Sequence, residues 1–294
     1  MSASAPKVST PLGRLTIAGS EHHTEGTSGR HVFHVTTPHA LTQAAGYLKF
    51  IHGPNHRQVF FRGQAKLYAS LAPTLVRGIT GQKAQANRIT ALREACGDLE
   101  KRNKILDGVP FEAREPLFQH YGLNTSWIDL VDNVWVALWF SCHTARAAGP
   151  LKQYIHFEQR NPNADDSGFA YILLVATDSN PSDPFVPGFY RGDTTELIDL
   201  RVAVPSIFLR PHAQHGVLFR MRGDTVRRPV DYSSQISDII RIDLRDALSW
   251  LGAGKMIDTH ALFPPPFYDR GYAMLLDSGF VGNERVGTLH HIGT

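Results

Sequence analysis

The sequence predicts an α+β fold in a single domain, helix-rich in its first half and strand-rich in its second. Stretches rich in helix formers crowd residues 38–143, whereas from Gly168 onward the apolar runs are short, β-branched and bounded by Gly, Pro or Asp. The order of these regions argues against regular βαβ alternation. The 294 residues, 42% of them apolar, suffice for one sizeable core. The chain divides into a flexible tail over 1–30 and one domain over 31–294.

The elements follow in order. Residues 1–30 are dominated by Ser, Thr, Gly and His without an apolar period, the composition of a tail. "PHALTQAAGYLKFI" opens with a proline and sets Leu41, Ala45, Leu48 and Ile51 near helical spacing. Val59, Phe60 and Phe61 then read as a buried strand that ends on Arg62, Gly63 and Gln64. "QKAQANRITALREACGDLEKRNKIL" places Ile89, Leu92, Cys96 and Leu99 on one helical face. "FEAREPLFQHYG" is a shorter helix stopping at Gly122, "NTSWIDL" an extended piece, and "NVWVALWFSCHTARAA" a buried helix. "FAYILLVAT", "LIDLRVAVPS", "GVLFRMRG" and "ISDIIRIDL" read as strands, "PNADDSG" and "SNPSDPFVPG" as loops. "LFPPPFYDRGYAMLLDSG" ends the series with a small helix after a proline turn.

Composition narrows the function classes. A formal charge of +3 tilts the chain toward anionic ligands or nucleic acid without selecting either. Two cysteines, Cys96 and Cys142, are too few for a disulfide framework and read as buried thiols, which suits a reducing compartment. No secretory signal is visible, so a cytoplasmic location is expected. The apolar run from Val134 to Phe140 is far shorter than the roughly 20 residues that cross a bilayer, so no membrane is expected. His31 with His34, and His212 with His215, have His-x-x-His spacing, but no supporting Cys or carboxylate follows, and no metal is expected. "GITGQKAQ" lacks the spacing of a phosphate loop, and neither a Gly-x-Ser-x-Gly elbow nor a His-Glu-x-x-His helix occurs.

Three polar clusters stand out. At the first, Arg62 either pairs with a carboxylate or faces a cleft and grips a phosphate through its two-pronged guanidinium. Gly63 beside it lets a ligand or another backbone come close, and Gln64 adds an amide at the rim. In the second, Gln119, His120, Tyr121, Asn124, Thr125 and Asp129 crowd a short connection among Trp127, Leu130, Trp135 and Trp139. Polar groups so placed must be partnered, as in a core network or an active site. The third, residues 210–228, carries five arginines against one aspartate, among them Arg210, Arg220 and Arg222, and reads as a solvated hairpin or a phosphate-contacting face. Gln214 and Gly216 repeat the pairing of an amide with a glycine at a strand end.

"FFRGQ", "LAPTLVRG", "FQHYGLNTSWIDL", "VALWFSC" and "RPHAQHGVLF", in that order within residues 55–220, resemble the FRG domain family. That family usually has Pro-Thr-Arg-Leu-Leu-Asp where this chain has Asn124 to Asp129, so Ser126 replaces an arginine. The order of motifs is also similar, more distantly, to that of ADP-ribosyltransferases, which implies a split β core and NAD as substrate. On that resemblance Arg62, Gly63 and Gln64 hold NAD, Tyr121 or Trp127 stacks on nicotinamide, and Thr125 and Asp129 orient ribose hydroxyls. Gln214 then occupies the last catalytic motif, where a glutamate is usual. The implied protein is a toxin or phage-defence effector, with nucleic acid favoured over protein as acceptor and an antitoxin or regulatory protein as a further partner. Arg210, Arg220 and Arg222 supply the expected nucleic-acid contacts. Two other readings stay open: a non-catalytic module that binds a phosphate-bearing ligand or nucleic acid, and a metal-independent nuclease with His120 as base.

Overall fold

Apolar strands buried on both faces build the centre of one long mixed sheet. The computed structural model describes residues 17–25, 30–53, 57–180, 184–222 and 230–293. The chain enters as an antiparallel pair, β1 (Ser20–Glu25) and β2 (Arg30–Val35). This corrects the expected tail: Ile17 is fully buried in the core and anchors the residues around it, and Gly19 (φ +78°) turns the chain into β1. Residues 1–16 lie outside the described residues.

Helix α1 (Pro38–His52) starts at Thr37, whose hydroxyl accepts from the Ala40 amide at 3.1 Å. It buries Leu41 and Leu48, each worth about 1.5–3 kcal/mol of apolar transfer. Next come β3 (Gln58–Gln64), α2 (Gln82–Arg102), α3 (Phe111–His120), β4 (Ile128–Val131) and α4 (Val134–Cys142). On α2 the buried face is Gln85, Ala91, Leu92, Ala95 and Leu99, while Ile89 is exposed. Helix α4, capped by Asn133, is apolar on nearly all sides because it lies deep.

The buried helix expected to run through Ala148 stops at Cys142. His143–Ala148 is instead β5, paired along its length with β6 (Tyr154–Gln159), so ladder hydrogen bonds override the helix propensity of its alanines. The second half supplies β7 (Phe169–Thr177), β8 (Pro184–Val186), β9 (Phe189–Arg191) and β10 (Thr195–Asp199). Within "LIDLRVAVPS" the strand gives way to α5 (Leu200–Ala203), because Asp199 caps the Arg201 amide. Then follow α6 (Leu209–Ala213), β11 (Gly216–Met221), β12 (Ile236–Asp243), α7 (Leu244–Trp250), α8 (Thr259–Leu262), α9 (Arg270–Asp277) and β13 (His291–Ile292).

The large sheet has the order β1-β2-β12-β7-β3-β4-β11-β10-β9-β8, and β13-β6-β5 form a small second sheet. The architecture is α+β, with β1 to β3 adding strands to the helix-rich half. Helices α1, α4 and α7 cover one face over Phe33, Phe61, Ile172 and Leu174; α2 and α3 join a second core with Trp127, Ile198 and Leu218. Period two along β3 turns Val59 and Phe61 into the first core and Phe60 into a separate cluster with Val175 and Phe219.

Candidate functional site

The sheet is pinched where the first polar cluster sits. Strand β3 pairs with β7 along all of Gln58–Gln64 but with β4 only at Phe61 and Val131. Past that pair the ladder stops, and the Arg62 side chain bridges the gap, donating from Nη1 to the Asp129 carbonyl at 2.7 Å. A cleft of about 770 Å³ opens there, lined by Arg62, Gln64, Arg77, Gln119, His120, Asp129 and Gln214. Three segments far apart in sequence therefore converge on one cavity.

Gly63 answers to backbone packing. A Cβ there would overlap the Ala137 carbonyl oxygen and sit 2.9 Å from the Ser141 amide, so only glycine lets α4 lie this close to β3. The residue fixes the cleft wall and itself lines the cleft.

Arg62 is a poorly compensated cation. Burial lowers its pKa, Asp129 pulls the other way, and Arg77 lowers it further. Its Nε is buried and has no hydrogen-bond partner. Arg77 donates to the Ala72 carbonyl at 3.0 Å and 3.2 Å and brings a second guanidinium to the lining. The polar end of the cleft thus presents two cations and one carboxylate.

His120 is held in a defined tautomer. Gln214 Nε2 donates to the Leu262 carbonyl at 2.9 Å, which orients Gln214 Oε1 toward His120 Nδ1 at 3.1 Å. Nδ1 therefore carries the proton of the neutral ring. Nε2 keeps a lone pair, lies 3.9 Å from Asp129 Oδ1 and has no hydrogen-bond partner. The His120 side chain is 3% exposed and that of Asp129 50%. Burial lowers the His120 pKa, Asp129 raises it and Arg210 lowers it; the net direction is down, so the imidazole is neutral at pH 7. Gly216 makes room for it, since a Cβ there would meet His120 Cε1 at 2.6 Å and Nε2 at 2.8 Å.

Several expected site residues lie elsewhere. Tyr121 is fully buried, stacks on Tyr272 at 5.4 Å and donates its hydroxyl to Asp269 at 2.7 Å, away from the cleft. Thr125 is also buried; its hydroxyl bonds Gln119 Oε1 and so acts behind the cleft wall. Trp127 packs in the second core beneath Arg220, whose guanidinium lies 4.4 Å from its ring.

Arg210, Arg220 and Arg222 each have partners within the protein. Arg210 is 1% exposed, lies against the stacked Tyr121 and Tyr272 rings at 4.7 Å and 4.4 Å, and donates to the His120 carbonyl at 2.7 Å. Arg220 is paired with Glu196 at 2.7 Å, and Arg222 donates to the Gly192 carbonyl at 3.1 Å. Arg227 and Arg228 lie outside the described residues.

Sequence reasoning missed the other end of the cleft, which Phe140, His143, Phe157, Phe263 and His290 line. Its one legible signal was a histidine, His143, at the end of the apolar run that starts at Val134.

Comparison with known proteins adds one finding. Residues 57–149, from β3 through β5, match the family model described as FRG domain, a span that includes Arg62, His120 and Asp129 and stops before Gln214. No curated protein and no solved structure matches the chain. Among the described residues no helix is long and apolar enough to cross a membrane.

Proposed function

Since the chain carries an FRG domain, we propose that its cleft is the active site of an ADP-ribosyltransferase-like enzyme that uses NAD to modify a macromolecule. The observation that supports this most is the meeting of a half-buried, under-bonded guanidinium at Arg62, a half-exposed carboxylate at Asp129 and the unpartnered, buried Nε2 of neutral His120 at one cavity. The volume of about 770 Å³ lies within the range of cofactor sites.

The residues divide the chemistry. Arg62 and Arg77 take the diphosphate with the guanidiniums they bring to the cleft lining. The bond from ribose C1′ to the nicotinamide nitrogen breaks, its electron pair leaving on neutral nicotinamide. Asp129 stabilises the cationic sugar electrostatically, the part a glutamate would play in the last motif. The acceptor's nucleophile bonds to C1′, and its proton passes to His120 Nε2, which Gln214 keeps in the accepting tautomer. Arg210, Arg220 and Arg222 are engaged inside the protein and give no reason to prefer nucleic acid over protein as acceptor.

The free Nε2 of His120 beside two guanidiniums also supports a second reading, metal-independent cleavage of a phosphodiester. One experiment separates them. The protein is incubated with NAD labelled in nicotinamide, alone and with protein, DNA and RNA acceptors, beside Arg62→Met and His120→Asn. Nicotinamide release is expected, falling about 10²–10⁴-fold in His120→Asn and lost in Arg62→Met with its unfolding midpoint kept. RNA cleavage without NAD, lost in His120→Asn, would establish the second reading; NAD binding without release on any acceptor would refute the transferase.

A further inference from the structure

The aromatic end of the cleft is built as specifically as the polar end. His143 stacks face to face on Trp139, with centroids 4.0 Å apart and planes at 14°. Its Nδ1 lies 2.8 Å from the Trp139 carbonyl oxygen, a group that only accepts, so Nδ1 bears the proton. Nε2 of the neutral ring is therefore an acceptor, and among the described residues it has no hydrogen-bond partner. Phe157 and Phe263 stack on each other at 4.5 Å and 25°, and Phe140 meets Phe263 edge-on at 6.1 Å. All four side chains line the cleft that holds Arg62.

We infer that this end is a binding subsite for a planar heteroaromatic ring bearing an edge N–H donor, an exocyclic amide or amine, which His143 Nε2 accepts. Flat aromatic faces select a flat ring. The fixed tautomer selects its edge: a donor satisfies Nε2, whereas a carbonyl or carboxylate meets a second lone pair. Burial lowers the His143 pKa, which keeps the ring neutral and accepting at pH 7. Trp139 and the α4 terminus fix its position, so it cannot turn its protonated nitrogen inward without breaking the bond to the Trp139 carbonyl.

This inference rests on the cleft being the ligand site proposed above, but not on turnover of NAD. Two ring sources share the chemistry, a nicotinamide carboxamide and an adenine amino group. Matched pairs tell them apart: nicotinamide against nicotinate, and AMP against purine riboside 5′-monophosphate, each titrated by calorimetry into wild type and His143→Phe. The phenylalanine retains a flat ring over Trp139 while removing the acceptor, and its urea midpoint is measured alongside.

Wild type is expected to prefer one member bearing the N–H group by about 10- to 100-fold, and His143→Phe to lose that preference. Preference within the nicotinamide pair or within the AMP pair identifies the source. Equal affinity within both pairs for wild type, no binding of any of the four, or a preference that persists in His143→Phe would overturn the inference. If preference is seen and NAD is not turned over, the subsite stands and the transferase reading fails. If NAD is turned over with KM unchanged in His143→Phe, only the subsite fails.

Discussion

Acidification from pH 7 to 4.5 is expected to destabilise the protein before its carboxylates titrate, because the histidines at the cleft are built to stay neutral. His290 is the clearest case: burial, then the charge of Arg210, then His291 lower its pKa from 6.5 to about 4. The folded value lies below the unfolded one, so the unfolded chain takes up the proton first. The contribution of His290 is complete above pH 6.5 and is lost as pH falls toward 4, with no further change below. Holding one histidine neutral across that interval corresponds to roughly 3 kcal/mol, at most about 1.4 kcal/mol for each unit of pH. His120 and His143 are lowered in the same sense, chiefly by burial, and steepen the slope. Asp132 and Asp178 also have lowered pKa values, but their contributions fade only below the unfolded carboxylate value near 3.8. Urea unfolding followed by tryptophan fluorescence at pH 7.5, 6.5, 5.5 and 4.5 gives the slope directly. His290→Asn should reduce it by about one proton's worth between pH 6 and 4.5. A stability flat from pH 7 to 5, or a His290→Asn slope identical to wild type, would refute the reasoning.

Substitutions of Gly63 and Gly216 probe the walls of the same cleft, with Gly46 as a control. Gly63→Ala drives a methyl group into the backbone of α4 and is expected to destabilise by about 3 kcal/mol. Gly46→Ala on the exposed side of α1 meets nothing within 4 Å and should stabilise by about 0.5–1 kcal/mol. Thermal unfolding of the pair tests this, and equal midpoints would show that β3 and α4 are not in such close contact. Gly216→Ala displaces the His120 ring and should lower nicotinamide release at least about tenfold while leaving NAD affinity within about twofold. An unchanged turnover number would remove His120 from the chemistry.

The sequence reveals more of the cleft's polar end than of its surroundings, and geometry explains the division. Arg62, His120, Asp129 and Gln214 are polar groups at the ends of apolar elements, where a side chain has a cleft or a partner to meet. Tyr121 has the same local context as His120, yet the next position at the end of α3 turns about 100° around the axis. The histidine thereby faces the cavity while the tyrosine enters the core. Spacing alone could assign that face only if the neighbouring elements were known. Arg210 escapes for a related reason: the rings it packs against come from residues 121 and 272, and no local pattern announces a cation beside a pair of tyrosines so far apart in sequence. The helix expected through Ala148 ends early because β6, further along the chain, pairs with it. At the N-terminus a single buried isoleucine among polar residues outweighs composition.

Arg62 and Arg210 together show how one side-chain type fills two different roles in this fold. Among the described residues neither guanidinium forms an ion pair, and buried nitrogens lack a hydrogen-bond partner on both, Nε of Arg62 and Nε and Nη2 of Arg210. Such cations are expensive to bury, so something must offset each of them. For Arg210 the offset is internal: two tyrosine faces and the His120 carbonyl surround it, and its charge in return helps to hold His120 and His290 neutral. Arg62 has only the Asp129 carbonyl, a nearby carboxylate half open to the cleft, and the cavity itself. Arg210 is closed in by aromatic rings, whereas Arg62 lines an open cavity. The difference between them is the physical ground for assigning the missing partner of Arg62 to a ligand: an anion entering the cleft would supply what the tyrosines supply at Arg210, and would bind most tightly where the protein is least complete.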